Sequence, residues 1–205
     1  MASLRQGSSM PREGVKGILA NIGRYVSIND HEAGALQSIL RLRSVQKKEL
    51  LIRPGEASDH QWYVVQGALR NYYLSPDGQE HTLQFAIEDW FISDFGSYVQ
   101  REPATLFIEA LEDSTLLQLS YSEIEVLCDT YPVFERFFRL VAQKAFAYSQ
   151  KRVLSNLGLT AAERYESFRS LYPEIVQRVP QYALASYLGM TPEFLSRIRR
   201  QIARS

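Results

Sequence analysis

Apolar positions repeat with two different periods along this chain, and the changes of period divide it. From Gly14, residues Val15, Ile18, Leu19, Ile22, Tyr25 and Val26 recur at three- and four-residue steps, which predicts an amphipathic helix. A second short helix follows, with Asn29 or Asp30 as its N-cap and Leu36, Ile39 and Leu40 as its buried stripe. After Leu42, β-branched and aromatic residues alternate and are punctuated by Gly, Pro and Asp, so strands are expected over 45–52, 61–65, 68–74, 80–87, 105–112 and 114–119. Ser75-Pro76-Asp77-Gly78 marks a hairpin turn, because proline presets one turn dihedral and glycine accepts a positive φ. The middle of the chain therefore reads as an all-β roll or barrel.

At Ser120 the helical period returns through Ile124 and Leu127, and Pro132 opens a long helix. Phe134, Phe138, Val141, Ala145 and Tyr148 form a four-and-three stripe along it, wider than a lone helix on a roll requires. The stripe fits a dimer seam of coiled-coil type, and it equally fits plain core packing. Three or four short helices follow Gly158, broken at Tyr172-Pro173 and Val179-Pro180. The implied division is a poorly packed leader over 1–13, a β-roll domain over 14–131, a dimerisation helix over 132–157 and an all-α unit over 158–205.

Residues 181–199 carry the most specific local pattern. Leu184, Ala185 and Leu188 face inward from one helix and Leu195 and Ile198 from the next, with Gly189 between. Ala185 is small where the helices cross, Gly189 can take the left-handed turn, and Met190 fills the gap between the helices. Thr191 is a natural N-cap, Pro192 suits a first turn and Glu193 complements the helix dipole there. This is the pattern of a helix-turn-helix that binds duplex DNA, although a helical hairpin in an ordinary domain has the same apolar spacing. Pro192, Glu193, Ser196, Arg197 and Arg200 would stand exposed on the second helix. In a major groove Arg donates two bonds to guanine, Glu accepts from cytosine, and Ser and the flanking cations hold phosphates.

Composition sharpens this only at the C-terminal end. Acidic and basic residues balance at 23 each, but 151–205 holds nine basic residues against four acidic ones. That asymmetry suits a polyanion as well as a solvated basic face. The single cysteine, Cys128, excludes an internal disulfide framework and a Cys-ligated cluster within one chain, and fits the reducing cytoplasm. No apolar run approaches a membrane span of about 18 residues. No nucleophile–base pair, phosphate-cradling glycine loop or metal cluster is evident, so an enzyme is not expected.

The order roll, long helix, helix-turn-helix resembles the Crp/Fnr family of bacterial regulators from about Gly14 onward. The resemblance rests on Arg53-Pro54-Gly55-Glu56, Trp62-Tyr63-Val64-Val65-Gln66-Gly67, Ser75 to Glu80, Asp89-Trp90-Phe91-Ile92-Ser93-Asp94 and the run 179–202. It implies an α+β protein: an N-terminal double-stranded β-roll (jelly-roll-like), a long dimerisation helix and a C-terminal all-α helix-turn-helix domain. It also implies a homodimeric, cytoplasmic transcription regulator that binds double-stranded DNA, with RNA polymerase as a further partner. Glu193 and Arg197 fall where the family places base-reading residues, with Thr191, Ser196 and Arg200 beside them, and Pro192 replaces a family Arg. In members that bind cyclic AMP, a cassette after the sixth strand uses a Gly-Glu pair for the ribose and an Arg-Ser or Arg-Thr pair for the phosphate. The matching residues here make a candidate effector pocket of Trp90, Ser93, Asp94, Tyr98, Ala104 and Thr105. Ala104 stands where that Arg would be. Its loss removes a bidentate, charge-assisted contact worth roughly 1.5–3 kcal/mol per bond. Cyclic AMP is therefore not the expected ligand, no cofactor is implied, and the small-molecule effector is unidentified. A chain ending at Ser205 also leaves no room for the β-wing that many members carry, so fewer backbone contacts to DNA are expected. The alternatives are a cyclic-nucleotide-responsive regulator and a ligand-sensing or scaffold protein with a degenerate helix-turn-helix.

Overall fold

The computed structural model describes residues 12–202. The expected leader therefore lies outside the described residues, apart from its last two, which already belong to a helix. Helices α1 (Arg12–Gly23) and α2 (Asp30–Ile39) come first, and Asn29 caps α2 through a capping box with Glu32. Eight antiparallel strands follow: β1 (Arg41–Val45), β2 (Leu50–Ile52), β3 (His60–Gln66), β4 (Leu69–Leu74), β5 (Glu80–Ala86), β6 (Phe91–Ile92), β7 (Phe107–Ala110) and β8 (Ser114–Ser120). They form two facing sheets of order β1-β8-β3-β6 and β2-β7-β4-β5. The short α3 (Phe95–Gln100) lies between β6 and β7.

Sequence pattern misplaced one strand. The expected 45–52 strand is two strands in different sheets, separated by a turn at which Lys48 takes φ 71°. The polar run Gln46-Lys47-Lys48-Glu49 marks the break, and Val45 and Leu50 to Ile52 on either side of it belong to different sheets. The hairpin at Ser75-Pro76-Asp77-Gly78 formed as expected, with Gly78 at φ 84°. Gly67 serves a tighter purpose: at φ 115°, a Cβ there would overlap Ser114, so only glycine lets β3 turn into β4 beside β8.

Three cores result. Val45, Ile52, Trp62, Val64, Leu69, Ile92, Ile108 and Leu116 fill the space between the sheets. On the outside of the first sheet, Tyr63, Leu117 and Leu119 meet α1, α2, helix α4 (Tyr121–Thr130) and the start of α5 (Pro132–Gly158). The third core joins Ala68, Phe85 and Leu111 of the roll to the four C-terminal helices, α6 (Ala161–Leu171), α7 (Pro173–Arg178), α8 (Gln181–Tyr187) and α9 (Pro192–Ile202). The prolines at 173 and 180 end the preceding segments as expected.

On the long helix, part of the expected seam is covered within the chain. Phe134 is fully buried by its own chain, and Phe138 and Val141 pack half-buried on the same cluster as α1 and α2. Further along, Tyr148 lies beside Tyr172 of the C-terminal unit but is 45% exposed, and Ala145 is exposed. The stripe is thus covered by its own chain through Phe134, Phe138 and Val141, and open at Ala145 and Tyr148. Besides Tyr148, the apolar side chains of α5 left in solvent include Phe146, Val153 and Leu157, with Leu154 beside them; Phe146 is 65% and Leu157 80% exposed.

Candidate nucleic-acid interface and effector pocket

The helix-turn-helix is built as its residues require. Ala183, Leu184, Ala185 and Leu188 of the α8 segment and Leu195 and Ile198 of α9 are buried together. Gly189 takes φ 67°, and the amide of Met190 bonds the Ala185 carbonyl to close the turn. Thr191 caps α9, its hydroxyl accepting from the Phe194 amide at 3.2 Å. Gln181 Nε2 donates to the Pro192 carbonyl at 2.8 Å and so joins the starts of the two helices. Gln181, Pro192, Glu193, Ser196, Arg197 and Arg200 line an open groove of about 400 Å³ on the outer face. Arg197 lies over the half-exposed Phe194 ring, 5.2 Å from its centre, which holds the guanidinium outward. Arg197, Arg199 and Arg200 are exposed, and among the described residues none of them pairs with a carboxylate.

Other C-terminal cations are spent inside the molecule. Arg178 binds Glu88 through both nitrogens, at 2.6 and 3.0 Å, and also reaches Glu112. Arg164 donates to the Leu188 carbonyl, Arg169 pairs with Glu166, and Arg152 donates to the carbonyls of Thr82, Leu83 and Tyr187. Much of the basic excess read from the sequence is therefore structural, and the share facing outward is concentrated on α9.

These contacts dock α8 against β5. Ser186 accepts from the Thr82 amide at 2.7 Å and donates to the Glu80 carbonyl at 2.6 Å. Beneath α8, Arg70 is buried with Glu109 and Glu80 at 2.6 Å and lies between the rings of Tyr72 and Tyr182. Burial opposes its charge, and the two carboxylates more than compensate, so its pKa lies above the usual arginine value.

The expected effector pocket comes together only in part. Asp94 is 2% exposed, and its carboxylate accepts from Thr105 N at 2.7 Å, Thr105 Oγ1 at 3.1 Å, Leu106 N at 3.0 Å, and Ser97 N and Oγ at 3.4 and 3.0 Å. Burial would raise its pKa, but these bonds outweigh that and hold the group below the usual aspartate value. Ser93 is buried and offers its carbonyl to Asn71. The other three residues point elsewhere. Trp90 packs edge-on against Tyr172 at the C-terminal unit, since the chain turns at Asp89 with φ 69°. Ala104 puts its methyl into the core between the sheets. Tyr98 turns toward Tyr121 and Gln61, and burial pushes its pKa to about 12.

The family model described as the cyclic nucleotide-binding domain matches residues 42–131. The chain is 25% identical over 192 residues to the transcriptional activator protein Anr of Pseudomonas protegens, covering 88% of this chain and 78% of that protein. It is also 25% identical to the probable transcriptional regulator flp of Lacticaseibacillus casei, over 87% of this chain and 84% of that one. In fold it is similar to FixK2 from Bradyrhizobium japonicum, with a TM-score of 0.70 and 21% identity over 81% of this chain and 85% of that structure. Residues 42–131 match the cyclic nucleotide-binding domain, and over most of its length the chain is similar to transcription regulators of the Crp/Fnr type.

The chain departs from expectation in what surrounds its two candidate sites. Sequence pattern missed Gln181, which lines the α9 groove, and Ser97, which helps hold Asp94. It also missed Arg70, Arg152 and Ser186, which fix the reading unit to the roll. Gln181 was within reach as the first residue of its helix. Arg70, Arg152 and Ser186 gave no signal, because their partners lie between 10 and 106 residues away in the chain.

Proposed function

We propose that this Crp/Fnr regulator works as a homodimer that reads a pseudo-palindromic duplex through α9. The supporting observation is the outer groove of α9, where Glu193 and Arg197 are exposed with Arg199 and Arg200 beside them, and among the described residues none of the three arginines pairs with a carboxylate. Arg197 supplies the bidentate contact to guanine and Glu193 accepts from cytosine. Ser196, Arg200 and Arg199 take phosphates, while Thr191 and Pro192 fix where the helix begins. Two such helices about 34 Å apart would enter successive major grooves. The solvent-exposed stripe of α5 supports a twofold seam through Phe146, Val153 and Leu157. In the cytoplasm the bound dimer would act on transcription through RNA polymerase, in keeping with an activator name among its relatives.

Selection from random duplexes followed by gel shift tests this reading. A specific, salt-sensitive site is expected, and Arg197→Ala should weaken it about 10-fold or more, matching about 1–3 kcal/mol for one bidentate base contact. Arg200→Ala should weaken all sequences alike and flatten the salt dependence. No enrichment at any salt concentration would leave the scaffold reading in its place.

A further inference from the structure

Asp94 holds far more donors than its position explains. A carboxylate capping a six-residue helix needs one amide, here that of Ser97 at 3.4 Å. Yet the other oxygen of Asp94 collects four donors: Ser97 Oγ, Thr105 N, Thr105 Oγ1 and Leu106 N. Three of them come from a loop eleven and twelve residues further on. Among the described residues no cation stands within ion-pair distance, so a buried negative charge is held by neutral main-chain amides and hydroxyls alone. Convergent N–H and O–H groups of this kind form a concave oxyanion site.

We propose that this cradle is an oxyanion-binding site of the roll whose occupant is the chain's own Asp94 carboxylate. The roll is thereby fixed in its anion-filled form without an external ligand, and a small carboxylate or phosphate can enter only when Asp94 is removed. Ala104, turned into the core, leaves no cation to favour an outside anion over the tethered one. Tethering supplies the carboxylate at high effective concentration, which a free anion at millimolar levels does not match. The inference is independent of how α9 reads DNA, and its test reads anion binding without DNA.

The experiment compares wild type with Asp94→Ala by thermal unfolding in formate, acetate, inorganic phosphate and chloride at matched ionic strength. Asp94→Ala should melt several degrees lower, and tens of millimolar formate or acetate should restore at least half of that loss, while wild type responds to all four salts alike. A folded Asp94→Ala protein that chloride stabilises as well as formate overturns the proposal. Because the variant can fail to fold, the wild-type amide signals of Thr105 and Leu106 are followed by NMR as well. They should stay fixed through additions of inorganic phosphate and cyclic AMP. Saturable movement of both signals would mean that the site is open to outside anions, and the proposal would fail.

Discussion

Arg152 sets the tightest constraint of any single side chain at the junction of roll, long helix and reading unit. It is half-buried and, among the described residues, has no carboxylate partner, so desolvation lowers its pKa, and its Nε is without a bond. Its two Nη atoms reach three carbonyls, two on β5 and one at the end of α8, while its plane covers the Tyr187 ring at 4.2 Å. A planar fork with several donors can serve three acceptors on two elements, whereas a lysine ammonium cannot spread so far. Arg152→Met should keep the packing but leave the carbonyls unpaired. At about 1–3 kcal/mol per buried unpaired group, the expected loss is about 2–4 kcal/mol in urea unfolding. Arg152→Lys should recover less than half of it. A loss below 0.5 kcal/mol would mean that water replaces the guanidinium freely.

At the scale of elements, α5 has three apolar faces with three fates. Phe134, Phe137, Phe138 and Val141 cover the helices of the roll, the side of Tyr148 and Arg152 meets the C-terminal unit, and Phe146, Val153 and Leu157 remain open. Burying a large apolar side chain is worth about 1.5–3 kcal/mol. Phe146→Glu with Leu157→Glu should therefore weaken self-association at least about 100-fold in sedimentation equilibrium, with each monomer still folded by circular dichroism. Phe138→Glu should instead lower the melting temperature, because that ring lies against Phe91 and Phe137. If the double variant stays dimeric while Phe138→Glu dissociates, the seam is the stripe first read from the sequence.

For the whole molecule, the decisive arrangement is the docking of α8 on β5, which joins the C-terminal helices to the roll. Two recognition helices match a fixed half-site spacing only if each is held in register with its dimer mate. Arg178→Glu places a third carboxylate beside Glu88 and Glu112 and should loosen that docking. The affinity for a palindromic site is then expected to fall about 10-fold or more, with half-site affinity unchanged, because the second contact loses effective concentration. Equal losses on both sites would mean that Arg178 supports α9 itself rather than its placement.

Local grammar settled the order of parts and the geometry of the helix-turn-helix. Gly189, Thr191 and Pro192 dictate a turn and a cap whatever surrounds them, and Ser75 to Gly78 dictates a hairpin. What covers an apolar face was not local. Periodicity showed that α5 is amphipathic over a wide arc, but which part of the arc met the roll depended on where α1, α2 and α8 came to lie. Charge behaved the same way: Arg152, Arg164 and Arg178 count as cations in the sequence, and only their distant acceptors made them structural. Asp94 was read as a wall of a pocket and proved to be buried in a ring of donors, because the loop that supplies most of them returns from eleven residues away.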